Sequence, residues 1–456
     1  MSEKNYRSLS EGSVMKTLVT FALPFLLSGL MQMAYSAVDV YFIGKYASAA
    51  SVSGVYQGVM INAVLTGLFL GITSGGTILL GQCVGAKNHR EAAQATGNII
   101  TISFIAAVIT GAVLLFGGRG IIGLMRVPEE AVEEALNYLF VCTLGIVFIM
   151  GYNVVSAVLR SLGDSKAPFF FILTASVINV VLDYVFVGVW GLMAKGAAAA
   201  TVTAQGVSFL LSVLYIWRKG LPFKFSIRDI APKKSVILSI LKLGVPISLQ
   251  STLNNFSFMI AGAIINTMGV YVSAATSVVG TITGICMMVP MSMSSSISAI
   301  TAQNIGAKKP ERAVKTLKYG IVLCLLFAVP FVIAVTFWPE GIVRLLNRDA
   351  NVVRESVRYL YPYSWDCLFV CFVFCFNGFF NGCGRTLFAM LQEGLSAFLV
   401  RIPASYLLKT LVAGATIFHV GIATPLASLA SAIACIIYFR IGFTREKLEK
   451  FELVSL

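Results

Sequence analysis

Charge is what this sequence has least of. Asp, Glu, Lys and Arg make up 12% of its 456 residues, about half the roughly 25% of an ordinary soluble domain. So little charge excludes a soluble globule, which could not hide the apolar remainder. Histidine is nearly missing as well. With His89 and His419 alone, no HExxH metalloprotease helix can be built. No GxxxxGK[ST] loop occurs, so direct drive by ATP is not expected. None of the nine cysteines forms a CxxC pair, which argues against a zinc ribbon or a disulfide framework. The start of the chain is polar and its first apolar run is too long for a signal-peptide core. That run is therefore read as a retained membrane span. These gaps together predict a chain that is not an enzyme and has no bound cofactor.

What is there in abundance is apolar sequence: 57% of residues, at a mean hydropathy of +0.86. A run of about 20 apolar residues crosses the hydrocarbon core of a bilayer. Twelve such spans can be read, at 16–44, 50–81, 91–117, 131–161, 166–191, 194–217, 236–269, 273–302, 313–338, 352–383, 386–412 and 416–440. The net charge of +14 would suggest nucleic acid in a soluble protein. Here no basic domain or aromatic platform exists, so no nucleic-acid partner is expected. The Lys and Arg sit instead in short polar joints. Of the 34, 23 fall on the side of the two termini and 9 on the other, with Lys242 and Arg401 inside spans. Basic loops stay in the cytoplasm, so both termini are expected there, in a multi-pass protein of the plasma (inner) membrane.

The chain repeats itself. Gln82-Cys83-Val84-Gly85-Ala86-Lys87 matches Gln303-Asn304-Ile305-Gly306-Ala307-Lys308 at an offset of 221, as do Tyr138-Leu139 with Tyr359-Leu360 and Gly163 with Gly384; Pro24 pairs with Pro246 at 222. Six spans per repeat return the chain to its starting side, so the halves share one orientation and a pseudo-twofold axis along the membrane normal. The expected fold is an all-α membrane protein of twelve transmembrane helices in two six-helix bundles. The lobes are placed at 1–217 and 236–456, with a basic cytoplasmic linker at 218–235.

Four of the 20 acidic residues lie inside spans: Asp39, Asp183, Asp366 and Glu393. A carboxylate at the bilayer centre costs about 2.5–3.5 kcal/mol or more, so each is a candidate for function. Asp183 lies in span 5 with Asn179 one turn before it on the same face. Asp39 lies near the outer end of span 1, beyond Pro24. That proline removes a backbone hydrogen bond and gives the helix a place to bend. A carboxylate on a bendable helix can load and release H+ or Na+. Thr201 and, more distantly, Asn153 are at comparable depth. Asp366, after Trp365 on span 10, reads either as a counter-charge in the second half or, with Trp365, as part of a substrate cavity. Asn254 on span 7 and the methionines Met287 and Met291 are also candidates for such a cavity, although Met287, Met288, Met291 and Met293 also read as ordinary packing. Glu393 and Arg401, two turns apart on span 11, read as structural. Cys367, Cys371 and Cys375 share one helix face, and read as small apolar packing rather than a soft-metal site. Adjacent glycines such as Gly75-Gly76 read as close helix packing.

These residues resemble a known family, the multidrug and toxic compound extrusion (MATE) transporters, of bacterial type. The likeness is carried by Ala37-Val38-Asp39-Val40-Tyr41-Phe42-Ile43-Gly44, the two Gln-x-x-Gly-Ala-Lys loops, Arg160-Ser161-Leu162-Gly163-Asp164, Asn179-Val180-Val181-Leu182-Asp183, Gly196-Ala197-Ala198-Ala199-Ala200-Thr201 and Arg401-Ile402-Pro403. The resemblance implies a V-shaped two-lobe fold. It also implies secondary active efflux of organic, often cationic and lipophilic compounds by antiport against H+ or Na+. Asp39 matches the family's span-1 acid, Asn179 and Asp183 its span-5 pair, and Thr201 and Asn153 its accessory polar positions. Another branch carries a glutamate on span 7 roughly where this chain has Asn254, so coupling is expected in the first lobe. The implied partners are small-molecule substrates and the bilayer, with the protein a monomer. Two competing readings are a flippase for a lipid-linked saccharide or other amphiphile, which needs a cationic cavity, and an intramembrane aspartyl protease, which needs two Asp sharing a proton.

Overall fold

The computed structural model describes residues 6, 8–125 and 127–443. Among them there are helices and connecting segments and no strand. In a bilayer a helix satisfies its own backbone groups, which is why apolar runs of this length take that form. In chain order the helices are α1 Val14–Tyr46, α2 Ala49–Gly85, α3 His89–Leu124, α4 Glu129–Leu144, α5 Ile146–Ser161, α6 Lys166–Asp183, α7 Met193–Lys219, α8 Lys234–Asn266, α9 Val270–Gly306, α10 Pro310–Phe337, α11 Pro339–Arg344, α12 Ala350–Gly382, α13 Thr386–Ser396, α14 Ile402–Leu411, α15 Ile417–Gly421 and α16 Ala423–Gly442. Among the described residues eleven helical spans are long and apolar enough to cross a membrane. The pair α4 and α5, bent by 56°, makes the twelfth. The span read at 131–161 is thus broken at Gly145, where the side chain of Val202 from α7 fills the space a Cβ would need. Phe104, Ile105, Val108, Ile109 and Phe116 on α3 are all exposed, as befits a face turned to lipid.

Helix ends show why the repeats fold alike. After α2, Lys87 N–H donates to Val84 O (3.1 Å) and Asn88 N–H to Cys83 O (3.0 Å). After α9, Lys308 N–H donates to Ile305 O (3.0 Å) and Lys309 N–H to Asn304 O (2.8 Å). Both are Schellman closures, and in both a lysine takes the left-handed position, at φ 56°. Gly163 and Gly384 close α5 and α12 in the same way with the residue better suited to it, at φ 88° and 77°.

Packing divides the chain into two compact units. One comprises residues 20–248 with the described residues up to Leu9. The other comprises 10–19 and 249–443. The division falls inside α8, beyond the basic joint at 218–235, because that joint is docked on α3 of the first unit. Thr101 Oγ1 donates to Ile230 O (2.5 Å) and Lys233 N–H to Asn98 Oδ1 (2.8 Å). A Cβ on Gly97 would lie 2.0 Å from Asp229 O. The start of α8 then crosses α2 at backbone contact, Gly71 and Gly75 meeting Gly244 and Ser248. The Gly75 expectation of close packing holds there. Within the second unit α12 packs chiefly on α9, with Gly378 and Gly382 against the carbonyls of Ser294 and Ser298. In the same unit Lys309 Nζ donates to Ser10 O (3.1 Å), and Arg312 donates to Gly12 O (2.6 Å) and Glu11 O (3.0 Å).

Between α5 and α6, outside the spans, Asp164 accepts from Lys219 Nζ (2.6 Å), Tyr215 Oη (2.7 Å) and Ala167 N (3.1 Å). Burial alone would lift its carboxyl, but these donors outweigh it and hold the group below the usual carboxylate value.

Candidate functional site

The first unit gathers the polar residues that its apolar helices would otherwise exclude. Asp183 ends the regular part of α6, where the chain passes into a π-helical stretch, Tyr184–Val189. Such turns interrupt α-helices frequently at functional sites. Asn179 is one turn earlier, 2% exposed, and Asp183 is fully buried. From α1, Asp39 comes within interaction range of Asp183 and Asn179. A small cavity of about 170 Å³, its mouth included, is lined by Tyr35, Ala175, Asn179, Thr201, Ala204 and Gln205.

The decisive feature is what these side chains lack. Both oxygens of Asp183, both polar atoms of Asn179, Oδ1 of Asp39, Oγ1 of Thr201 and Oε1 of Gln205 are buried with no hydrogen-bond partner among the described residues. A buried polar atom left unpaired costs about 1–3 kcal/mol, and more where a charge is involved. Two ionised carboxylates facing one another out of water add repulsion. A cation held by the oxygens, or a proton shared by the acids, relieves both penalties. The donor set of carboxylate, amide carbonyl and hydroxyl oxygens suits a hard cation. The helix that brings Asp39 here is α1, continuous through Pro24. Proline leaves a helix carbonyl without its usual N–H partner, and Ser28 Oγ bonds back to Pro24 O at 2.8 Å, a contact that favours bending.

The structure thus brings Asp39, Asn179, Asp183 and Thr201 together and adds Tyr35 and Gln205, which sequence reasoning missed. A signal existed: Tyr35 is one turn before Asp39, and Gln205 one turn after Thr201. Asn153 does not join them by any hydrogen bond, because its amide donates to Ile149 O within its own helix (2.8 Å).

The residues proposed for a substrate cavity differ in their surroundings. Trp365 is 58% exposed while its neighbour Asp366 is 2% exposed, so the two point apart. Met291 is exposed and Met287 half-buried. Asn254 is engaged by Arg401, whose Nη1 donates to its Oδ1 at 2.8 Å. Glu393 does not pair with Arg401. Its Oε2 accepts from Gln250 Nε2 (2.5 Å) and Asn377 Nδ2 (2.8 Å) instead. Cys324 and Cys375 sulfurs sit 3.7 Å apart in the core. No group of three or more metal-ligating side chains occurs among the described residues.

A family model, MatE, matches residues 24–185 and again residues 246–407, so the internal repeat is the family's own. The chain is 28% identical to a protein of Bacillus subtilis (strain 168) named "Probable multidrug resistance protein YpnP", over 95% of this chain and 96% of that one. Among solved structures it is similar to one described as MATE in the bent conformation, with TM-score 0.92, 19% identity and 99% of each chain covered. It is equally similar to one described as MATE in the straight conformation, with TM-score 0.91, 19% identity, and 99% and 100% covered.

Proposed function

The chain belongs to the MatE family, and from that membership we propose that it expels organic, often cationic and lipophilic compounds by antiport against H+ or Na+, loading the coupling cation at Asp39 and Asp183. Multi-pass transport of small molecules across a membrane is the family's work, and catalysis is not. The curated relative carries multidrug resistance in its name, which supports efflux as the direction. The excess of Lys and Arg on the side of the termini supports their placement in the cytoplasm of a bacterial plasma membrane.

One observation carries the cation site: buried carboxyl, amide and hydroxyl groups around Asp183 are left without hydrogen-bond partners among the described residues. Asn179 and Thr201 complete the ligand shell, and the cation supplies the missing charge. Antiport then needs the cation and the drug to favour different shapes of the protein, since a ligand that binds two shapes equally shifts nothing. Pro24 is the place where α1 changes shape. Asp39 lies 15 residues beyond it, about 22 Å along a helix. A kink of about 20° at Pro24 would carry Asp39 sideways by about 8 Å. That distance is enough to break its contact with Asp183 and release the cation. Solved relatives described as straight and bent accord with such a change.

Ethidium efflux from proteoliposomes, under an imposed pH gradient or an imposed Na+ gradient, tests the reading. Efflux should follow one gradient and vanish in Asp39→Asn, which stays folded. Normal efflux by that variant would remove Asp39 from the mechanism. No specific observation favours the flippase reading: Lys242 and Arg401 are the basic residues inside spans, and Arg401 is already engaged by Asn254.

A further inference from the structure

The second unit holds a buried guanidinium that the proposed mechanism does not use. Arg401 is 6% exposed. Its Nη1 donates to Asn254 Oδ1 (2.8 Å) and lies 3.4 Å from Ser257 Oγ, its face rests on the Phe258 ring at 4.0 Å, and its Nε has no partner among the described residues. No carboxylate of the described residues forms a salt bridge with it. Glu393 and Asp366 feel its charge only through space. Arginine inside a membrane span is costly and marks function by default.

Its place in the repeat gives it meaning. The family model matches 24–185 and 246–407, two stretches of equal length offset by 222 at both ends. At that offset Arg401 takes the position of Asn179, Ser257 that of Tyr35, and Ser405 that of Asp183. The helix geometry agrees independently. From the left-handed Gly163 to Asn179 is 16 residues, and from the left-handed Gly384 to Arg401 is 17. The additional residue is taken up by a π-helical turn, Ala397–Arg401, since a π-turn spans i to i+5 where an α-turn spans i to i+4. In the first unit Tyr35 and Asn179 line one cavity. In the second, Ser257 and Arg401 fill the corresponding place. Around the guanidinium stand an amide oxygen, a hydroxyl oxygen and an aromatic face, and all three are partners a cation takes.

We propose that Arg401 is a tethered cation: the second half carries, fixed to its own chain, the positive charge that the first half takes up and gives back. This rests on the coupling site proposed at Asp39 and Asp183. The second half is then permanently loaded. Only the first unit exchanges its cation during transport, while Arg401 holds the second unit in its loaded form and offsets Asp366 and Glu393 across the interior.

Charge replacement tests this in the full-length protein. Arg401→Lys should keep ethidium efflux in proteoliposomes, whereas Arg401→Gln and Arg401→Ala should lower it about tenfold. Millimolar guanidinium chloride should restore efflux to Arg401→Ala and do nothing for Asp39→Asn. Wild-type efflux by Arg401→Gln would overturn the proposal, as would failure of guanidinium to rescue Arg401→Ala. If the neutral variants cannot be purified, Asp39→Asn/Asp183→Asn decides instead. Binding of ethidium to this protein should displace no H+ or Na+, and any residual displacement would reveal an exchangeable site in the second half and refute a tethered one. Should wild type move ethidium under neither gradient, the coupling reading fails by itself. The tethered charge is then judged by thermal unfolding: guanidinium should raise the midpoint of Arg401→Ala and leave wild type unmoved, and equal responses would overturn it.

Discussion

Gly75→Ala is the sharpest perturbation of the packing. On an open helix surface, exchanging Gly for Ala stabilises by about 1 kcal/mol, because Ala loses less backbone entropy and has the better helix propensity. At Gly75 the new Cβ would lie 2.4 Å from Gly244 N and 2.6 Å from both Gly244 Cα and Ile240 O. Carbon atoms settle at about 3.5–4 Å, so α2 and α8 must part by about 1 Å. The opposing atoms are backbone and cannot rotate aside. The neighbouring bond from Ser248 Oγ to Leu68 O, 2.6 Å long, stretches with the same movement. Overpacking of this kind costs about 1–3 kcal/mol; after the propensity gain a net loss of about 0–2 kcal/mol remains, which is about 1–3 kcal/mol below a Gly→Ala exchange on an open surface. Gly67, on the same helix, has nothing within 4 Å of its Cβ position, and Gly67→Ala should be neutral or stabilising. Thermal unfolding of the two variants in one detergent reads the difference directly. A Gly75→Ala protein as stable as Gly67→Ala would refute the argument that this crossing is set by backbone contact.

Gly97→Ala should push its Cβ into Asp229 O and lift the joint from α3, so that trypsin cuts faster after Arg228, Lys233 and Lys234. Asp164→Asn should lower thermal stability at neutral pH. Because the folded carboxyl is held below its ordinary value, its contribution is complete above about pH 3.9 and is lost as pH falls through the lower folded value; the gap between wild type and variant should close on acidification, and a gap unchanged at low pH would contradict the pairing. Glu393→Leu leaves Gln250 and Asn377 without an acceptor and should destabilise by about 1–3 kcal/mol, whereas Glu393→Gln should cost less, as chemical denaturation of the two variants would show.

Spans were legible because apolar length is a strong signal that survives errors of a few residues at each end. The break at Gly145 was not, since a glycine inside an apolar run gives no hint that Val202 from another helix occupies its missing side chain. The π-turns at Tyr184–Val189 and Ala397–Arg401 were equally hidden, having no composition of their own. Asp39 and Asp183 stood out as charges in apolar surroundings, and Asn179 and Thr201 by their nearness to them or their match to the family. Tyr35 and Gln205 escaped because such residues are common in helical bundles. Trp365 and Asp366 differ in exposure because consecutive residues on a helix point about 100° apart, so adjacency in sequence does not by itself put two side chains on one face.

The paired closures after α2 and α9 bear on ancestry. Lysine is a poor choice for a left-handed backbone, yet Lys87 and Lys308 both adopt it at φ 56°. A costly solution present twice in one chain was inherited, so the turn was already fixed when a single ancestral half was copied and joined to itself. The side chains that followed were free to diverge over a backbone that was not. Asn179 and Arg401 are the measure of that freedom: at one offset in the repeat, one half carries a neutral amide and the other a cation.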